Sequence, residues 1–137
     1  MAIVTPVEAD VRLQQGGAVQ SVQFGEAVTV GAYCYISTVD GKAYLSSNLS
    51  EGEAYISGVS MSNVALDEYG ILTLGLLQPV DLGVAATVGQ LYVLSSTPGK
   101  IMPYGDLTTN DWICYASLGD SSGLFSLRNE PQGLQKV

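Results

Sequence analysis

Apolar and polar residues alternate along much of this chain, the spacing that places successive side chains on opposite faces of a β-strand. From Gln23 to Ser37, Val28, Val30, Ala32, Cys34 and Ile36 fall on one side, with Thr29, Gly31, Tyr33 and Tyr35 on the other. This predicts a long strand with Gly31 as the place for a bend. Tyrosines on the second face are more often half-buried than solvated, so that face is expected to meet a second layer or another subunit.

The run from Thr29 to Lys42 occurs twice. Shifted by 58 positions it aligns without a gap on Thr87 to Lys100, and Thr, Val, Gly, Ser, Gly and Lys coincide. Each copy has an opening glycine, a β-rich run (Tyr33 to Ser37, Leu91 to Ser95) and a turn dipeptide, Asp40-Gly41 or Pro98-Gly99. Strand, tight turn and return strand is the reading, and a unit said twice is a repeated supersecondary element.

Further strands are expected at Ala43 to Leu45, Glu53 to Val59, Ile71 to Leu77, Trp112 to Leu118 and Leu124 to Leu127. The run Ile71 to Leu77, held between Gly70 and Pro79, is too short and too apolar for anything but a buried strand. Met61 to Tyr69 is the one place where a short helix fits. The sum is an all-β domain, a compact barrel or sandwich of about ten short strands built around the two hairpin units. It should occupy residues 23–131, with an extended N-terminal arm over 1–22 and a polar C-terminal tail over 132–137 after a stop at Pro131. In the arm, Ile3, Val4, Val7, Val11 and Leu13 are β-formers without a hydrophobic rhythm of their own, and Gln14-Gln15-Gly16-Gly17 breaks any element. Such a segment needs a surface to lie on, either its own domain's, as an ordinary first strand, or a neighbour's.

At 137 residues, 47% of them hydrophobic, the chain can bury a core without staples. No apolar run is long enough for a membrane helix, and Met1 to Pro6 is no signal peptide, so a soluble product of the cytoplasm is expected. Thirteen acids against five bases give a net charge of −8. Arg12, Lys42, Lys100, Arg128 and Lys136 are scattered singly, so neither nucleic acid nor an anionic membrane is an expected partner.

Candidate chemistry is thin. Gly119-Asp120-Ser121-Ser122-Gly123 satisfies the Gly-x-Ser-x-Gly pattern of a nucleophile elbow, but the chain has no histidine to take the serine proton and no helix follows, so a hairpin turn is expected. The acids Glu51/Glu53, Asp67/Glu68 and Asp106/Asp111 fall in loops, where water keeps carboxylates ionised; Asp106, Asn110 and Asp111 lack the EF-hand spacing for calcium. Cys34 and Cys114 lie in strand runs and read as small buried hydrophobes, with a bridge or a metal pair as the lesser alternatives. Eight tyrosines and Trp112 allow a carbohydrate platform, but core or interface is the simpler use. No enzyme, cofactor or metal is expected.

The frame Gly25-Glu26-Ala27-Val28, Gly31, Tyr33-Cys34-Tyr35-Ile36 and Asp40-Gly41-Lys42-Ala43, with the later Val88 to Ser95, Thr97 to Ile101 and the closing Trp112 to Leu118, resembles the head decoration (capsid cement) proteins of bacteriophages. The likeness spans about residues 22–131. It implies a structural protein of the virion, made in the host cytoplasm, that binds the outside of the phage head as a homotrimer. There it would stabilise contacts between subunits of the major capsid protein, with Ile3, Val4, Val7, Val11 and Leu13 of the arm as the expected contacts to capsid or neighbouring protomer. The rival reading is a β-module of a phage tail or fibre acting as an adhesin-like binding domain.

Overall fold

A computed structural model describes residues 3–13, 17–74 and 78–137. Eleven strands follow in chain order: β1 (Val11–Leu13), β2 (Ala18–Gln23), β3 (Tyr33–Ile36), β4 (Ala43–Leu45), β5 (Gly58–Val59), β6 (Tyr69–Leu74), β7 (Pro79–Leu82), β8 (Leu91–Leu94), β9 (Ile101–Pro103), β10 (Trp112–Gly119) and β11 (Phe125–Gln135). Two 3-10 turns, Glu8–Asp10 and Tyr104–Asp106, are the only helical pieces among the described residues. The strands form three open sheets, ordered β1-β7-β11-β10-β8-β9, β2-β6 and β4-β3-β5, so the all-β fold is sandwich-like and not a closed barrel.

The repeat in the sequence is the visible part of a larger duplication. Both copies form antiparallel hairpins, β3-β4 and β8-β9, in the same register: Cys34 opposite Leu45 becomes Tyr92 opposite Pro103, and Ile36 opposite Ala43 becomes Leu94 opposite Ile101. The glycines that open and close each unit share a left-handed backbone, with φ of +90° at Gly31 and +78° at Gly89, then +74° at Gly41 and +79° at Gly99, which side chains strain. A third strand adds to each hairpin on the same side. Tyr33 faces Val59 and Cys34 faces Gly58, while Leu91 faces Leu118 and Tyr92 faces Ser117. The loop bonds repeat too: Gly31 N–H to Ser60 O (2.8 Å) and Ser60 N–H to Ala32 O (2.8 Å) reappear as Gly89 N–H to Gly119 O (2.9 Å) and Gly119 N–H to Gln90 O (2.9 Å).

The correspondence extends to strands whose sequences share nothing obvious. Val22 pairs with Gly70 and Ser21 with Ile71 as Val80 pairs with Phe125 and Pro79 with Ser126. A single bridge, Ser60 to Leu72, ties β5 to β6, so the two halves read β4-β3-β5-β6-β2 and β9-β8-β10-β11-β7. The buried positions match as well: Val22/Val80, Phe24/Leu82, Val28/Ala86, Cys34/Tyr92, Ala43/Ile101 and Leu72/Leu127 are all core. Size is traded between them. Phe24 and Val28 are the larger members in the first half, Tyr92 and Ile101 in the second, so each half fills its interior with a different set of volumes.

The N-terminal arm belongs to the second half. In the first half the carbonyl of Ala43 accepts Gly25 N–H at 2.9 Å; in the second, the equivalent carbonyl of Ile101 accepts Val4 N–H at 2.9 Å. Val7 N–H then bonds Leu82 O at 2.9 Å, and β1 pairs with β7, Val11 opposite Leu82 and Leu13 opposite Val80. Val11 is buried, and Val4 and Leu13 pack on the main core. Of the two surfaces open to the arm, its own domain's is the one that Val4, Val11 and Leu13 use, as an ordinary first strand, and residues 18–22 lie in β2.

Other local expectations change for tertiary reasons. Of the long strand expected from Gln23 to Ser37 only Tyr33–Ile36 forms, as β3: the chain leaves β2 at Gln23, touches other strands through single bridges at Phe24 and Val28, and turns at Gly31, whose φ is positive. Met61 to Tyr69 forms no helix, because Met61 N–H bonds Ile71 O, Val64 and Val28 bridge, and the turn at Asp67 takes φ of +65°. Of Glu53 to Val59 only Gly58–Val59 is strand, since Ala54 N–H turns back to Ser50 and Glu51. The strand expected over Ile71 to Leu77 is β6, with Ile71 and Leu74 exposed; 75–77 lie outside the described residues. Pro131 does not end the last strand. It sits opposite Cys114 beside a register shift, and β11 continues to Gln135, so the supposed tail is paired with Trp112.

Candidate interaction surface

The residues that carry chemistry are occupied with turns. Gly119 to Gly123 is the β10-β11 turn: Asp120 Oδ1 accepts Ser122 N–H (2.8 Å) and Leu124 N–H (2.9 Å), and Gly123 takes φ of +77°. Ser121 is exposed at its tip. Asp111 Oδ2 accepts both the N–H and the hydroxyl of Thr108, at 2.8 and 3.0 Å, and Glu53 accepts the hydroxyls of Ser47 (3.1 Å) and Ser50 (3.0 Å). Among the described residues no three of the Cys, Asp and Glu side chains converge as a metal ion requires.

Both thiols are buried and free. Burial pushes the Cys34 thiol well above its ordinary range, with Glu26 adding to the shift, and pushes Cys114 up to about 12. Thiolate chemistry is thereby suppressed at neutral pH. Tyr33, also buried, has its phenol pushed up by desolvation and shares a 2.7 Å hydrogen bond with Ser117 Oγ.

One face gathers aromatic and acidic groups. Tyr35 stacks on Tyr44 at 5.9 Å, and the Tyr44 hydroxyl donates to Asp40 Oδ2 at 2.5 Å, which holds the Asp40 carboxyl below the usual carboxylate range and raises Tyr44 to about 12. Beside them Tyr35, Tyr55, Glu51 and Glu53 line an open cleft of about 620 Å³. An adjoining cleft of about 290 Å³ shares Tyr55 and Glu51 and adds Trp112 and Pro131.

The five arm residues do not form one patch. Val11 is in the core, Ile3, Val4 and Leu13 are half-buried, and Val7 alone is exposed, at 43%. Exposed apolar residues gather elsewhere: Val19, Tyr69 and Ile71 share one face of the β2-β6 pair, with Leu66 shortly before β6 and Leu74 at its end on the other face. Sequence reasoning missed them because the Ile71 run reads as buried; the signal was the complete absence of charge in β2 and β6. No protein-family model, curated protein or solved structure matches this chain.

Proposed function

We propose that this chain is a structural binding module without a catalytic role, and in particular a capsid decoration protein. It would seat on the outer surface of a phage head and stabilise contacts between major capsid protein subunits, as a homotrimer and without nucleic acid, membrane or cofactor. The observation that carries the reading is that the residues bearing the resemblance include the two hairpins β3-β4 and β8-β9, the repeated units on which both halves of the fold are built, and β10 beside the second. Acids held by turn hydrogen bonds and unreactive buried thiols agree with a protein that holds others together. A rigid β-body repeated over a lattice can stabilise it through many modest contacts.

The test is to mix purified protein with undecorated heads and weigh what sediments. Saturable binding at a fixed ratio to the capsid protein, with raised thermal resistance of the heads, is expected; no binding at saturation refutes the proposal. The clefts around Tyr35, Tyr55 and Trp112 favour a second reading, a tail or fibre binding module, for which saccharides should quench Trp112 fluorescence.

A further inference from the structure

Two clefts meet at Tyr55. The larger lies between the β3-β4 turn and the loop that carries Glu51 and Glu53, with Tyr35 and Tyr55 in its walls. The smaller continues past Tyr55 and Glu51 to Trp112 and Pro131, so Tyr55 stands between the other two aromatic side chains. The walls are held in place. Tyr35 stacks on Tyr44, whose hydroxyl is tied to Asp40. The Tyr55 carbonyl accepts the Ser46 hydroxyl at 2.6 Å, Ala54 N–H turns back on Ser50 and Glu51, and Trp112 N–H bonds Asn48 O at 3.0 Å. A groove with fixed walls spends little free energy on ordering itself around a ligand.

The polar groups left over in these walls say what the ligand must bring. Among the described residues the Tyr35 hydroxyl, the Tyr55 hydroxyl and the Trp112 indole N–H have no hydrogen-bond partner, so three donors are unused. The Glu53 carboxylate is engaged, with the Ser47 hydroxyl on one oxygen and the Ser50 hydroxyl on the other. No lysine or arginine lines either cleft, while Glu51, exposed, lines both. The Tyr35 phenol is raised by its partial burial and then by the nearby carboxylates of Glu53, Glu26 and Asp40, which mark the field there as negative. A proline-rich segment fits this pattern: it presents carbonyls with few N–H groups, holds an extended helix with no internal hydrogen bonds, and docks in aromatic-lined grooves. A basic residue beside its prolines answers Glu51. A saccharide asks for acceptors as well as donors, and both oxygens of Glu53 are already taken.

We propose that the joined clefts are the docking groove for a proline-rich, basic segment of a partner protein, with prolines against Tyr35, Tyr55 and Trp112 and an arginine or lysine at Glu51. The segment's carbonyls take the three unused donors. Charge complementarity selects a basic occupant, since a molecule of net charge −8 with acids in the groove wall repels an acidic one. The proposal rests on the reading of this chain as a binding module and adds the chemistry of what is bound; it needs neither a capsid nor a particular oligomer.

The experiment titrates the full chain with a synthetic peptide of repeating Arg-Pro-Pro units and follows Trp112, the single tryptophan. A saturable blue shift of its emission is expected, with affinity falling as salt is added. A peptide of Glu-Pro-Pro units and neutral oligosaccharides should bind at least about tenfold more weakly. Tyr55→Ala and Glu51→Gln, both at exposed positions that leave the core and the reporter intact, should each weaken the Arg-Pro-Pro peptide about tenfold. Tyr69→Ala, an exposed aromatic on β6 outside both clefts, should change nothing. No saturable shift, equal binding of the acidic peptide, tighter binding of an oligosaccharide, or binding that survives both groove variants overturns the proposal. Heads bound by a chain that ignores the peptide would end the groove and leave the decoration reading standing; peptide bound by a chain that ignores heads would do the reverse.

Discussion

Tyr33 and Ser117 are 84 residues apart and belong to opposite halves of the duplication, yet their hydroxyls meet at 2.7 Å with both residues buried. Replacing one partner leaves the other hydroxyl buried and unsatisfied, which costs about 1–3 kcal/mol. For a chain of this size each kcal/mol lowers the melting temperature by about 4 °C, so Tyr33→Phe and Ser117→Ala should each lower it by about 4–12 °C. The double variant removes both polar groups together and leaves no orphan. It should be no less stable than the worse single variant, giving a coupling energy of about 1–2 kcal/mol in a double-mutant cycle. Urea unfolding followed by the fluorescence of Trp112, the chain's single tryptophan, measures all four states. Additive losses would refute the argument, since they would mean that the two hydroxyls satisfy themselves independently and that this contact does not join the halves.

The arm and the ionisable groups make two further predictions. Val11→Ala removes two buried methyl equivalents from the main core and should cost about 2 kcal/mol, whereas Val7→Ala, at 43% exposure, should stay within about 0.5 kcal/mol; equal losses in thermal unfolding would contradict the placement of β1 on β7. Deleting residues 1–13 therefore destabilises the fold, and a capsid contact by the arm is better tested at Val7. The melting temperature should hold from pH 7 to 9 and fall from about 9 upward. Unfolded thiols and phenols ionise from their ordinary 9.0 and 10.0, while the folded state keeps Cys34, Cys114 and Tyr33 protonated by burying them. With folded values raised, the stabilisation is complete below the unfolded pKa and is lost as pH rises towards the folded one, about 12 for Cys114. Converting both cysteines to alanine should flatten the first part of that decline; a melting temperature that rises above pH 9 would contradict the sign.

Local chemistry made part of this molecule readable from its residues alone. Asp40-Gly41 and Pro98-Gly99 specify tight turns, so β4 appears at Ala43–Leu45 as expected and the second hairpin follows from the first. Asp120 and Gly123 likewise make a turn of what could pass for a nucleophile motif. The rest of the duplication left no such trace. Phe24 answers Leu82, Cys34 answers Tyr92 and Ala43 answers Ile101, so what is repeated is burial at a position, with residue identity free to change as long as each half fills its own volume.

The sequence by itself determined an all-β chain, two hairpins and their turns, because those depend on backbone preferences of a few neighbouring residues. Which strand lies beside which was decided only in three dimensions. Val4 occupies in the second half the place that Gly25 takes in the first, Pro131 is carried through β11 by a shift in register, and β7 carries β1 on the side where Phe24, at the end of β2, bridges Ala43 of β4. Strand edges offer the same N–H and C=O groups whatever their side chains, so partner choice rests on how the faces pack, and packing is a property of the whole fold.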